Sequence, residues 1–390
     1  MQMESVFITD AEQRKAIPII RSLGEKGIEV TAGGTSRLSP SFFSKYCKRK
    51  VIYPSPKREP DDFINFLLKY LEKFPHKVLF AIDEGTNDMV TAHLEEFSRY
   101  AIVPLPTKDN YKKARDKAQT LKIAMSLGIP CPTTYFVEDI GEVQRLTQEL
   151  SFPVIIKPRL SSGSRGIVFV DKKENLVSSS LKVHSTFSFP IVQEFIPRGG
   201  DAYGVEVLMN RESNPRAVFV HRRLREYPVG GGPSTLRESV DYPELAEMGV
   251  RLLRALNWFG VAMVEFKIDP RDGIPKLMEI NPKFWGSIQL PIVSGVDFPY
   301  LLYKLAVDGD VEPIKGYKIG VMCRWLLPGD ILHFLFNKNR FNLNPSFFNF
   351  YDENIYYDIL SKEDPGPVLG TAIYYLSKIL SQKLLRDLTR

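Results

Sequence analysis

The stretch AMVEFKIDPRDGIPKLMEINPKFWGS, Ala262–Ser287, decides how the rest of the chain is read. VAMVEFKID and PKLMEIN are apolar, strand-like runs joined by the turn sequence PRDG, which makes them a β-hairpin. Side chains two residues apart on a strand point the same way, so Glu279 and Asn281 share one face. Glu265 closes the partner run. Three oxygen-bearing side chains then converge in an otherwise apolar hairpin, and an unpaired buried carboxylate is costly. A hard divalent cation fits this donor set, with its remaining ligands from water and nucleotide phosphates. Magnesium is the natural choice and manganese a substitute. The alternative is a salt bridge to Lys267, Lys276 or Lys283.

Upstream, FPVIIKPRLSSGSRGIVFVD holds two β-rich runs around a loop of small residues, with Lys157 at its base. Backbone N–H groups of Ser161, Ser162, Gly163, Ser164 and Gly166 can lie on phosphate oxygens, and the lysine adds a point charge. An ordinary hairpin loop has the same composition. No GK[ST] follows and the loop joins two strands, so it is not a Walker A loop. In IVQEFIPRGGDAYGVEVLMN a strand runs into Glu194, Phe195 and Ile196. An extended hinge there can offer N–H and C=O groups to an adenine edge, and Asp201 beyond it can take ribose hydroxyls. A plain strand–turn–strand is the alternative.

HRRLREYPVGGGPSTLRES clusters Arg222, Arg223 and Arg225 ahead of Gly230–Gly232. A glycine loop beside arginines is suited to closing on an anionic substrate and its acyl phosphate; a basic surface strand is the alternative. Alternation puts Arg223 and Arg225 on one face and Arg222 on the other. Arg324, inside the apolar run VMCRWLLPGD, reads as a buried, paired arginine or as a clamp on a substrate carboxylate.

The opening alternates strand SVFITD, helix AEQRKAIPIIRSLGEKG and strand IEVTAGG, a β-α-β unit that implies a parallel sheet. DDFINFLLKYLEKF is a second helix and KVLFAID a further strand. No GxGxxG turn follows the first strand, so a dinucleotide fingerprint is absent. In EGTNDM, after KVLFAID, residues Asp83, Glu84 and Thr86 can line a ligand cleft; a helix N-cap at Thr86 or Asn87 is the plainer reading. VPLPTKDNYKKARDKAQTLKIAMSLGIPCP reads as a linker and one helix stopped at Gly128 and Pro130. Short strands follow from about Thr133 to Asn210, with one helix near Gly141–Leu150. The aromatic-rich end closes in VLGTAIYYLSKILSQKLLRDLTR, an amphipathic basic helix expected to pack on its own domain.

A length of 390 residues predicts two or three packed units. The net charge of +6 is mild and dispersed, which argues against a nucleic-acid surface and suits anionic small molecules. Three scattered cysteines and five scattered histidines form neither a disulfide framework nor a zinc motif. No signal sequence or membrane-length apolar run is visible. A soluble protein of the cytoplasm is the expectation.

Taken in order, these elements resemble the ATP-grasp superfamily over roughly residues 107–300. The nearest branch holds carboxylate–amine ligases similar to the carbamoyl-phosphate synthetase large chain and D-aspartate ligase. The resemblance implies a mixed α/β and α+β architecture. A Rossmann-like pre-ATP-grasp domain spans 1–106 and an ATP-grasp domain 107–300. The lid subdomain covers about 130–195, and an extension runs over 301–390. It implies that Lys117 and Lys157 hold ATP phosphates and that Ser161–Gly166 covers them. Glu194, Phe195 and Ile196 would take adenine, Asp201 ribose, and Glu265, Glu279 and Asn281 magnesium. Lys283, Arg223, Arg225 and Arg324 become the catalytic candidates. Lys283 stands where the family pattern has arginine, which keeps the charge and loses the bidentate fork. The implied substrates are ATP, a small carboxylate (an amino acid or peptide) and an amine, joined through an acyl phosphate. A thiol or carbamoyl-type acceptor, or a non-catalytic nucleotide-binding module, are the rival readings. A homodimer is compatible with this reading, which includes no nucleic-acid partner and no membrane span.

Overall fold

Strands β1 (Ser5–Ile8), β2 (Glu29–Gly34), β3 (Cys47–Ile52) and β4 (Val78–Phe80) form a parallel sheet ordered β3-β2-β1-β4. The structure is a computed structural model that describes residues 4–161, 163 and 165–388. Helices Ala16–Glu25 and Pro60–Lys73 connect the strands, as a Rossmann-like opening requires. β1 and β4 are wholly buried, which suits parallel strands covered on both faces. Two details depart from expectation. The first helix starts at Ala16, five residues late, because Asp10 takes a positive φ of 58° and the chain turns before it can coil. The second is β3, an unexpected strand whose exposed Lys48, Arg49 and Lys50 mark it as a charged sheet edge.

A second sheet is antiparallel and ordered β5-β8-β6-β7. It comprises β5 (Thr134–Phe136), β6 (Val154–Lys157), β7 (Val168–Val170) and β8 (Ile191–Glu194). Helix Ile140–Glu149 lies close to the predicted position. A further helix, Leu176–Phe187, was not predicted; its run of three serines looks like a turn, and packing of Leu176 and Val183 on the sheet overrides that.

The third sheet has seven strands, ordered β13-β12-β9-β10-β11-β14-β15. It is built from β9 (Ala202–Met209), β10 (Pro215–Glu226), β11 (Ser234–Ser239), β12 (Gly260–Ile268), β13 (Pro275–Asn281), β14 (Met322–Arg324) and β15 (Ile355–Tyr357). The last two strands come from the C-terminal ninety or so residues, so that stretch extends the sheet. Helix Gly366–Leu388 packs on the short turn Pro40–Phe43 of the first unit. The fit needs glycine: a Cβ on Gly366 would come within 2.0 Å of the Phe43 carbonyl oxygen. Phe284 and Trp285 are buried, on Phe80 and Phe298 respectively, and plug the core between the first sheet and the third. Among the described residues no helix is long and apolar enough to cross a membrane.

Candidate functional site

The hairpin forms as read, from β12 and β13, with Glu265 opposite Glu279 and Met263 opposite Asn281. A bulge at Met278 then shifts the register, so Phe266 faces Leu277. This separates Leu277 from Glu279 although they are two residues apart. Leu277 goes into the core with Val264, Phe266 and Ile280, while Glu279 and Asn281 stay on the Glu265 face. Asn281 Nδ2 donates to Glu265 Oε1 at 2.9 Å. Arg223 Nη2 lies 3.4 Å from Glu265 Oε2, and Lys117 Nζ 3.1 Å from Glu279 Oε2. Burial pushes the Glu265 carboxyl up, Glu279 adds to this, and Arg223 opposes it. Two facing carboxylates and an amide oxygen fit a hard cation, which would relieve that repulsion. Among the described residues no three His, Cys, Asp or Glu side chains group as a metal cluster.

The predicted phosphate lysines reach the same place from the other side. The segment 108–126, expected as one helix, is two: Lys108–Arg115 and Lys117–Ser126. Asp116 breaks it in an extended conformation, caps the second helix through Ala118 N, and pairs with Arg159. Lys117 therefore sits at a helix start with its Nζ on the Ser161 carbonyl at 2.6 Å and on Glu279. Lys157, at the end of β6, is buried and donates to Gln193 Oε1 at 2.6 Å. Burial brings its ammonium down to about 8, with Glu279 pulling the other way and Lys117 and Lys267 adding to the fall.

In the small-residue loop, Gly163 and Gly166 take positive φ, and a Cβ on Gly166 would meet Phe187 and Pro158. Arg165 reaches toward Glu84 of the first unit at 3.8 Å. The expectations for Ser162 and Ser164 lie outside the described residues. In the hinge, Glu194 N donates to Thr133 O, Phe195 packs edge-on against Phe169, and Ile196 O accepts from Lys267 Nζ. Asp201 is half-exposed beside Arg222 at 3.2 Å.

The arginines divide differently from the sequence expectation. A register shift at Leu224 puts Arg223 opposite Arg237 but Arg225 opposite Leu236. Arg223 and Arg225 therefore lie on opposite faces. Arg324, also opposite Leu236, joins Arg225. Both are buried and converge on Asp330, at 2.8 Å and 2.6 Å, away from Glu265. The bland reading of Arg324 as a buried, paired arginine holds, and Arg225 is its companion.

The first unit closes the site. Lys283 Nζ lies 3.0 Å from Glu84 and 4.0 Å from Asp83, and Lys15 donates to Asp83 and to the Phe284 carbonyl. Helix Glu84–Ala92 starts after Asp83, so the predicted cap at Thr86 or Asn87 is corrected; Thr86 instead donates to Asp10. Sequence reasoning missed Glu206 and His221. His221 Nδ1 is 2.5 Å from Glu206 Oε1, and both are buried. The imidazole lies over Gly204, where a Cβ would be 2.4 Å from Cε1; Gly204 in turn pairs with Glu265. An acidic residue alternating inside the apolar run YGVEVLMN was the available signal.

Lysines from the second sheet and its leading helix thus meet carboxylates of the seven-stranded sheet in one place. Residues 114–287 match the ATP-grasp domain model. Among individual proteins the chain is similar to D-aspartate ligase of Enterococcus faecium (strain Aus0004), 28% identical over 276 residues. The match spans 64% of this chain and 64% of that ligase, so the chain covers just under two thirds of the relative's length. Two solved structures share the fold. Biotin carboxylase of Campylobacter jejuni has a TM-score of 0.70 at 16% identity, over 82% of this chain and 74% of its own. L-amino acid ligase of Bacillus licheniformis has 0.62 at 18%, over 80% and 76%.

Proposed function

We propose that the protein is an ATP- and magnesium-dependent ligase that joins an amino-acid or small-peptide carboxylate to an amine. The observation that carries this reading is the convergence of Lys117 and Lys157 with Glu265, Glu279 and Asn281. The similarity to D-aspartate ligase supports an amino-acid substrate. A carboxylate oxygen attacks the γ-phosphorus of ATP and ADP leaves. The amine nitrogen then attacks the acyl carbon, phosphate leaves, and the amine gives up a proton. Glu265, Glu279 and Asn281 would hold magnesium, which would supply charge neutralisation at the phosphates. Lys117 and Lys157 hold the phosphates, Ser161–Gly166 covers them, and Glu194 to Ile196 with Asp201 take the nucleoside. Arg223 and Lys283 offset charge on the acyl phosphate. Arg225 and Arg324 are positioning residues that fix β10 and β14 through Asp330. His221, its tautomer set by Glu206, takes the amine proton.

The test is ADP release with magnesium, ATP and pairs of amino acids, with hydroxylamine as a second acceptor. ATP-dependent hydroxamate from at least one amino acid is the expected result. ATP binding without ADP release for any carboxylate would overturn the reading.

A further inference from the structure

Between Asp330 and Asp352 the chain has no acidic residue, while Lys338 and Arg340 are basic and nine positions are aromatic or leucine from Phe334 onward. Apolar side chains here point outward. Phe336 is 65% exposed, Phe341 72%, Phe348 59% and Tyr351 fully exposed, with Leu335 beside them. Phe341 and Phe348 belong to one cluster, because Phe334 packs against both and against Phe347. The presentation is fixed from below. Arg225 donates to the Pro345 carbonyl at 2.6 Å and Arg324 to that of Phe347 at 2.8 Å, both arginines being held by Asp330. His333 Nδ1 is 2.7 Å from the Glu226 carbonyl oxygen. Buried arginines thus serve to hold apolar rings out in water, an arrangement that costs free energy unless something covers it.

We infer that the segment Leu335–Tyr351 is a docking surface for an anionic lipid layer. Aromatic rings flanked by lysine and arginine suit the boundary between headgroups and acyl chains, and the lack of acid removes repulsion from anionic headgroups. Charge complementarity selects this occupant over a second copy of the same patch, since two cations among exposed rings would oppose the same two on that copy. The patch also continues toward the candidate site. Phe336 packs on Tyr227 at 5.8 Å, at the start of the glycine loop whose Gly232 carbonyl accepts from Arg223. Docking therefore sets the rim of that site against the lipid. The inference does not depend on the ligase reading.

The experiment is co-sedimentation of the full chain with vesicles of phosphatidylcholine alone and of phosphatidylcholine mixed with phosphatidylglycerol. The protein is expected to pellet with the anionic vesicles, to stay in solution with the neutral ones, and to be released by salt. The pair Phe341→Ser and Phe348→Ser, and separately the pair Lys338→Ala and Arg340→Ala, should each weaken partition by about tenfold or more at unchanged ATP affinity and melting temperature. Three results would overturn the inference: no pelleting with either vesicle, pelleting that both double variants keep, or a concentration-dependent dimer that Phe341→Ser abolishes in the absence of vesicle binding.

Discussion

Glu265 faces Glu279 across the hairpin at one register position, and Asn281 bridges to Glu265 at 2.9 Å. Replacing one of two facing carboxylates removes repulsion from the free protein and, on the proposed function, a ligand from the metal. Glu279→Gln should keep or slightly raise the melting temperature while lowering ADP formation by about 100-fold or more. Calorimetry with magnesium and a non-hydrolysable ATP analogue separates the two effects. Unchanged turnover would remove Glu279 from the metal set.

Lys157, brought down to about 8 by burial, should make ATP binding depend on pH. Phosphate favours the charged lysine, so binding takes up a proton once the free enzyme has lost it. Affinity should fall by up to about tenfold per pH unit above that value, and the binding enthalpy should vary with buffer ionisation. Lys157→Arg, charged throughout, should flatten the profile. The sign for stability is separate: the unfolded lysine keeps its proton longer, so the free protein gains stability as pH rises from about 8 toward the ordinary lysine value. A flat affinity profile in the wild type would place Lys157 outside the phosphate site.

His221 should matter for protonated amines and not for acyl-phosphate formation. Hydroxylamine is largely neutral near pH 7 and needs no base. His221→Asn should therefore keep ATP-dependent hydroxamate formation while amide formation falls by about 100-fold, with partial recovery at higher pH. A parallel fall in both products would mean that the Glu206–His221 pair only supports the sheet.

Asp330 neutralises Arg225 and Arg324 in a buried setting. Asp330→Ala leaves both cations unpaired and should cost about 3–5 kcal/mol in denaturant unfolding. A loss below about 1 kcal/mol would show that water or carbonyls already satisfy the arginines.

Much of this site was open to local reading. Period-two alternation gave the shared face of Glu279 and Asn281, and Lys157 stood out at the base of a small-residue loop. The division of the arginines was not, because one extra residue at Leu224 inverts the alternation on which the reading rested.

The amino-acid sequence by itself determined the β-α-β opening and the hairpin of Glu265, Glu279 and Asn281, because strand and helix periods act over a few residues. Tertiary structure decided the rest. Glu206 meets His221 only once β9 and β10 pair, and Lys283 meets Glu84 across 199 residues of chain. Such partners are chosen by sheet order, by bulges that reset it, and by the cost of leaving a buried charge alone, and none of these is written in any short stretch of sequence.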